Sequence, residues 1–290
     1  MKRIAIIGLG LLGGSFALAV KRDRAVESEI IGFSRRQDTV AEAKNRGVID
    51  EGAENLASAV NGAELVVITT PVLAIKDVLE KISGVLSPGC IVTDTGSTKK
   101  MVMEWAKQYL PQSVNFIGGH PMAGKETSGL DEADAELFRG CIYCLTPAGN
   151  ATRQSVKALG KIVNDIGASP WLIRAEEHDR LVAGVSHLPM LLSSAFVSAT
   201  TGNSSWPEMS KMAAGGYRDL SRLASGNPEM NRDICVTNRE EIIRWLDCYI
   251  EELKKYRQLV SDDGEQIKDV LAVAREARER WLGGGMGHEA

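Results

Sequence analysis

The chain has 290 residues, 44% of them hydrophobic and 25% charged, enough for two domains with cores of their own. A formal net charge of -4 argues against a general role on nucleic acid or on a membrane surface, so an anionic ligand needs a local cationic pocket. No apolar run reaches transmembrane length and no signal peptide precedes the first strand, so the expected compartment is the cytoplasm.

Lys2-Arg-Ile-Ala-Ile-Ile7 reads as a buried strand that runs straight into Gly8-Leu-Gly-Leu-Leu-Gly13. Gly8, Gly10 and Gly13 fall at the spacing of a dinucleotide-binding turn. Gly8 allows the tight turn. Gly10 lets backbone N–H groups, with Leu11 and Leu12 opening the helix, approach a pyrophosphate, and Gly13 lets helix and strand pack. The second strand, residues 29–33, ends in Ser34-Arg35-Arg36, where NAD-selective folds carry a carboxylate for the ribose 2′-hydroxyl. Two guanidiniums suit a 2′-phosphate, so NADP is expected over NAD; the alternative is a pair of surface arginines.

A polar helix over 38–46 follows, then an apolar strand from 63 whose end, Thr69-Thr70-Pro71, should border the cofactor. A helix at 74–82 and a strand at 90–94 continue the βαβ rhythm. The expected fold class is α/β: an N-terminal Rossmann-type, doubly wound, mostly parallel sheet followed by an all-helical domain. The boundary is placed between residues 1–172 and 173–290.

Ser97, after the strand ending at Asp94, reads equally as a helix N-cap or as a functional hydroxyl. His120 lies in the glycine-dense Gly118-Gly-His-Pro-Met-Ala-Gly124, at the ligand edge of the sheet, where an imidazole can take a proton near neutral pH. A strand at 141–146, a helix at 152–166 and a segment at 169–174 finish the sheet domain. Helical patterns then cover 175 onward, 207–212, 231–260 and 264–281, with Pro189 expected to kink the first near Ser186-His187. Cys141 and Cys144 sit three apart in a strand with no second pair at zinc spacing, so they read as buried thiols and no metal site is expected. His178 and His288 match no motif and read as surface residues, and Gly283-Gly-Gly285 reads as the start of a disordered tail.

Five segments in order carry a resemblance to the prephenate and arogenate dehydrogenases of tyrosine biosynthesis, over essentially the full chain. They are Gly8-Leu-Gly-Leu-Leu-Gly-Gly-Ser15, Asp94-Thr-Gly-Ser97, Gly118-Gly-His-Pro-Met-Ala-Gly124, Val185-Ser-His-Leu-Pro189 and Gly215-Gly-Tyr-Arg-Asp-Leu-Ser-Arg222. The resemblance implies hydride transfer from the 4-hydroxyl carbon of prephenate to NAD(P), with loss of CO2 and aromatisation. It makes His120 the acceptor of the hydroxyl proton and Ser97 the residue that orients it. His187 would line the substrate pocket and Arg222 would grip a carboxylate. Lys125-Glu126, beside the histidine motif, either tunes the pocket, with Glu126 on the substrate, or forms a solvated charge pair. A homodimer is implied, with residues 227–232 contributed by the partner and more polar than in relatives that carry a tryptophan there. Arogenate, or both substrates, is the alternative. A 3-hydroxyacid-type dehydrogenase would want a lysine where 185–189 offers His187, and a non-catalytic dinucleotide sensor would not need Ser97, His120 and a carboxylate-binding arginine together.

Overall fold

The structure, a computed structural model, describes residues 1–22, 28–125, 127–262 and 264–283. In chain order the first half runs β1 (Arg3–Ile7), α1 (Leu11–Arg22), β2 (Glu29–Phe33), α2 (Gln37–Asn45), β3 (Glu51–Gly52), α3 (Leu56–Val60), β4 (Leu65–Ile68), α4 (Val72–Ile82), β5 (Ile91–Asp94), α5 (Lys100–Tyr109) and β6 (Asn115–Pro121). It continues with β7 (Ile142–Pro147), α6 (Arg153–Asp165), β8 (Ser169–Leu172), α7 (Ala175–Val182), a π-helical turn (Ala183–His187) and α8 (Leu188–Thr201). Then come α9 (Trp206–Met212), α10 (Gly215–Ser221), a 3-10 turn (Arg222–Ser225), α11 (Pro228–Thr237), α12 (Arg239–Ser261) and α13 (Ile267–Leu282).

The strands form one sheet in the order β3-β2-β1-β4-β5-β6-β7-β8, parallel throughout except for β6 against β7. Both faces are covered. Ile4 and Ile6 of β1 enter one core with Phe16, Leu65 and Val67, while Ala5 and Ile7 enter the other with Val66, Ile68 and Ile75. That two-sided burial is why β4 reads as an unbroken apolar run. The chain reverses its direction of winding between β1 and β4, and ligand crevices of such sheets open at the carboxyl ends of the strands at that point.

Three departures from the sequence pattern matter. The strand β3 and the helix α3, two and five residues long, are too short to show a period, although Asn55 caps α3 by accepting from the Ser58 N–H at 2.9 Å. A helix over Gly215–Ser221 begins with two glycines that read as loop. The single helix expected over 231–260 is two, α11 and α12, because Asn238 leaves the helical region at φ −127°, ψ 34°.

Pro189 does not end its helix. The π-helical turn just before it supplies an extra residue, which accommodates a ring that cannot donate a hydrogen bond. The helix therefore runs unbroken from Ala175 to Thr201, with a mean hydropathy of 1.5 over its most apolar stretch, and is long and apolar enough to cross a membrane by length and composition. This corrects the sequence reading, which found no apolar run of transmembrane length. Along that run His178, Asp179, His187 and Ser193 are buried.

The chain divides into two compact units, Met1–Ile242 and Ile243–Ala290. The first takes in the sheet and the helices through α11, because α11 packs on α4 and α7 on α5. The second holds most of α12 and all of α13, and exposes Trp245, Ile250, Leu253 and Trp281. Residues 284–290, including His288 and the end of the triglycine, lie outside the described residues.

Candidate active site

The turn from β1 into α1 is shaped by close approach. Gly8 has φ +108°, and a Cβ there would lie 2.9 Å from the Thr69 carbonyl oxygen. A Cβ on Gly13 would lie 1.9 Å from the Gly8 carbonyl oxygen, so helix and turn meet only because position 13 is glycine. At Gly10, by contrast, a Cβ would meet nothing within 4 Å, which leaves the helix N-terminus open on its outer side. Thr69 Oγ1 donates to the Gly8 carbonyl at 2.5 Å and ties the turn to the end of β4. Next to it Thr70 Oγ1 is buried and has no hydrogen-bond partner among the described residues, and Pro71 precedes α4. An open glycine rim, an orphaned hydroxyl and a helix N-terminus fit a dinucleotide pyrophosphate. Leu11 and Leu12 begin α1, half-buried. Ser34, Arg35 and Arg36 follow β2 beside this turn, since the Gly8 N–H donates to the Phe33 carbonyl at 2.8 Å. Both arginines are exposed.

A second group of residues gathers where β5 and β6 end. Asp94 closes β5, and its Oδ1 accepts the Gly119 N–H at 3.1 Å while Oδ2 accepts the Gly96 N–H at 2.7 Å and pairs with Lys99 Nζ. Asp94 and Lys99 are both wholly buried. A Cβ at Gly119 would lie 2.4 Å from the Asp94 carbonyl oxygen, so only glycine lets β6 carry His120 this close to β5. Ser97 falls in the loop between, half-buried.

His120 is 9% exposed and does not stand alone. Its Nδ1 lies 2.8 Å from Nε2 of His178, and His178 Nδ1 lies 2.7 Å from Asp179 Oδ1. Burial holds the His120 imidazole well below the usual histidine range, with His178, the Lys99 ammonium and His187 pushing the same way. It is therefore neutral near pH 7, the state a proton acceptor needs.

His178 is fully buried, which overturns its reading as a surface residue. The cap reading of Ser97 also fails. Helix α5 starts at Lys100, and its first N–H groups are capped from across the fold: Asp179 accepts from the Lys99 N–H at 2.7 Å and the Lys100 N–H at 2.9 Å. Asp94, Lys99, His178, Asp179 and Asn238 were all missed in the sequence. The adjacent His178-Asp179 at the head of a helix that follows the last strand was the one available signal.

His187 is 1% exposed and ends the π-helical turn. The Asn238 amide donates to the Asp179 carbonyl at 2.8 Å, which fixes its orientation, and so it also donates to His187 Nδ1 at 3.1 Å. His187 must then carry its proton on Nε2, a buried atom with no hydrogen-bond partner among the described residues. An acceptor group on a ligand would satisfy it. Arg222 is not part of this buried cluster. It is exposed at the start of the 3-10 turn, which is held to α8 by the Ala224 N–H donating to Ser193 Oγ at 2.9 Å. Lys125 pairs with Asp134 at 3.7 Å, and Glu126 lies outside the described residues. Among the described residues no cluster of three metal-ligating side chains occurs, and the cysteines are free. Burial pushes the Cys144 thiol up to about 11.

A stability signature follows from His187. Burial lowers its pKa from 6.5 to about 4, against a smaller opposite pull from Asp179. Between those values the unfolded chain binds the extra proton, so the contribution is complete above pH 6.5 and is lost as pH falls towards 4. A shift of that size is worth about 3 kcal/mol. His187→Gln should therefore flatten the loss of urea-unfolding stability between pH 6.5 and 4.5 relative to the parent; parallel curves would refute the assignment.

The family model for the prephenate dehydrogenase nucleotide-binding domain matches residues 16–171, and that for the prephenate dehydrogenase dimerization domain matches residues 174–273. The chain belongs to the prephenate dehydrogenase family. Prephenate dehydrogenase of Bacillus subtilis (strain 168) is 36% identical over 280 residues, which is 95% of this chain and 75% of the relative. Among solved structures, prephenate dehydrogenase from A. aeolicus in complex with hydroxyphenyl propionate and NAD+ superposes with a TM-score of 0.90 at 29% identity, covering 97% of this chain and 98% of the other. Arogenate dehydrogenase from Synechocystis does so with a TM-score of 0.82 at 31% identity, covering 96% and 99%. This member of the family is thus an NAD(P)-dependent dehydrogenase built from a nucleotide-binding domain and a dimerisation domain.

Proposed function

We propose that the protein oxidises prephenate to 4-hydroxyphenylpyruvate and CO2, with His120 as the proton acceptor and NADP as the preferred cofactor. The observation that carries this reading is a buried, neutral imidazole at the ligand edge of a dinucleotide-binding sheet, next to a loop that offers a hydroxyl, Ser97. When bound beside the glycine turn, the cofactor supplies a hydride acceptor. His120 takes the 4-hydroxyl proton as the carbonyl forms, so the carbinol carbon can release its hydrogen with the electron pair. The ring carboxylate then leaves as CO2, and its bonding electrons move through the ring to that same oxygen. His120 can return the proton there, which leaves no net proton to release. Ser97 orients the hydroxyl, the His187 Nε2–H donates to an acceptor on the substrate, and Arg222 engages a carboxylate. Glu126 is a substrate candidate from its place beside the histidine motif in the sequence.

The cofactor is held by Gly8, Gly10, Leu11, Leu12 and Gly13, with Thr70 and Pro71 at the end of β4. For NADP the support is two exposed guanidiniums at Arg35 and Arg36 where a carboxylate would repel the 2′-phosphate. Arg35→Ala combined with Arg36→Ala should cut the NADP-over-NAD ratio of kcat/KM by tenfold or more, since each charge-assisted bond is worth about 1.5–3 kcal/mol. A parent enzyme that favours NAD tenfold would overturn the preference. Residues 1–172 act as the cofactor domain and 173–290 as the helical one, whose exposed Trp245, Ile250, Leu253 and Trp281 suit a homodimer contact. Free thiols suit the cytoplasm. Reduced-cofactor absorbance measured with prephenate and with arogenate, against NADP and NAD, tests the reading. The similarity to an arogenate dehydrogenase makes arogenate the second substrate to try. Turnover with neither would refute it.

A further inference from the structure

We propose that Asp179 and His178 are a positioning pair that sets which nitrogen of His120 is the base. The inference rests on the reading of His120 as proton acceptor and deepens it. The geometry is a line of three side chains on two elements: Asp179 Oδ1 to His178 Nδ1 at 2.7 Å, and His178 Nε2 to His120 Nδ1 at 2.8 Å. His178 and Asp179 come from α7 and His120 from β6, and all three are buried.

With both rings neutral, the proton count leaves one arrangement. Asp179 accepts from the Lys99 and Lys100 backbone N–H groups, so its carboxylate is an acceptor on every side. His178 must therefore donate from Nδ1. With both rings neutral, His178 Nε2 is then bare and can only accept, so His120 donates from Nδ1. That leaves the lone pair of His120 on Nε2, the nitrogen not engaged with His178. When Nε2 gains a proton, the imidazolium keeps its Nδ1–H on His178, and through that ring it faces the Asp179 carboxylate. The other groups around His120 do not supply this direction. Lys99 is a cation already paired with Asp94, and His187 presents an N–H. The same carboxylate caps α5 immediately after the loop that carries Ser97, so one side chain fixes the tautomer of the base and the start of the helix behind its neighbour.

Asp179→Asn tests this because its amide keeps one oxygen: with that oxygen on the Lys100 N–H, the NH2 takes the place that accepts from His178. That reverses the chain: His178 takes its proton on Nε2, donates to His120 Nδ1, and leaves His120 protonated on Nε2, where it is no longer a base. The first readout is ¹⁵N NMR of histidine-labelled full-length protein, with His120 assigned by loss of its signals in His120→Asn. The parent should show His120 protonated on Nδ1, and Asp179→Asn should show it on Nε2. The second readout is kinetic: kcat should fall by about 10²–10⁴, as for a lost or misdirected base, with KM and cofactor Kd within about threefold. If Asp179→Asn does not fold, or keeps its amide oxygen on His178 and so the parent tautomer, His178→Gln, whose amide oxygen still accepts from His120, should retain at least about tenfold more kcat than His178→Leu. A parent His120 protonated on Nε2, or an Asp179→Asn enzyme whose tautomer changes without loss of kcat, overturns the proposal. So does equal loss in the two His178 variants. Since the tautomer is read without turnover, a failure here is separable from a failure of His120 as base, which His120→Asn activity decides.

Discussion

Replacing His120 by asparagine should lower kcat by about 10²–10⁴ while leaving cofactor affinity within a few-fold, the span expected for removal of a general base. Asparagine keeps a polar group of similar reach on β6 but cannot take a proton. The buried imidazole also predicts the shape of the pH profile. Because burial, His178, Lys99 and His187 all lower its pKa, the acid limb of kcat/KM should fall below the ordinary histidine value of 6.5. Stopped-flow and steady-state measurement of NADPH formation with prephenate checks both. An asparagine variant with near-parent turnover, or an acid limb above 6.5, would remove the role.

The largest expected change in stability lies one strand away. Asp94→Ala deletes the partner of a wholly buried ammonium and strips the acceptor from the Gly96 and Gly119 N–H groups. Breaking a buried pair by removing one member costs about 3–5 kcal/mol, because the remaining charge has no water to return to. Lys99→Met should cost less, since the carboxylate would keep two backbone donors and the methionine would fill similar volume. Urea unfolding of the three proteins orders them; an Asp94→Ala protein within about 1 kcal/mol of the parent would show that the ammonium finds another partner. The pair does more than stabilise. It holds the Gly119 backbone against the end of β5, which is the register on which the position of His120 depends.

Much of this was legible in the chain. The alternation of apolar strands and helices gives the doubly wound sheet because both faces are covered, and the spacing of Gly8, Gly10 and Gly13 marks the turn because each backbone contact tolerates no Cβ or needs an open rim. His120 could be placed at the ligand edge because it closes a strand rich in glycine. Its support could not. His178 is flanked by Glu176, Glu177, Asp179 and Arg180, the composition of a solvent-facing first turn, yet its ring is buried against a strand 58 residues earlier. Nothing local records that contact. Asn238 was hidden for the same reason: it interrupts a stretch whose pattern continues on either side, and its amide is spent on Asp179 and His187, far back in the chain. Such cross-links are invisible to periodicity, which registers only which face of an element is apolar.

The wide turn at Ala183–His187 has a bearing on how this stretch can change. His178 and His187 are nine residues apart, and an uninterrupted α-helix would point two such side chains about 180° away from each other. The extra residue in the turn changes that phase, and Asn238 spans from the carbonyl next to one histidine to the ring of the other. Val185, in the middle of the turn, is 74% exposed and free to vary in kind. It is not free to vanish: deleting it would swing everything downstream by about 100° and carry the His187 proton away from its place. Here residue count, rather than residue type, sets the geometry.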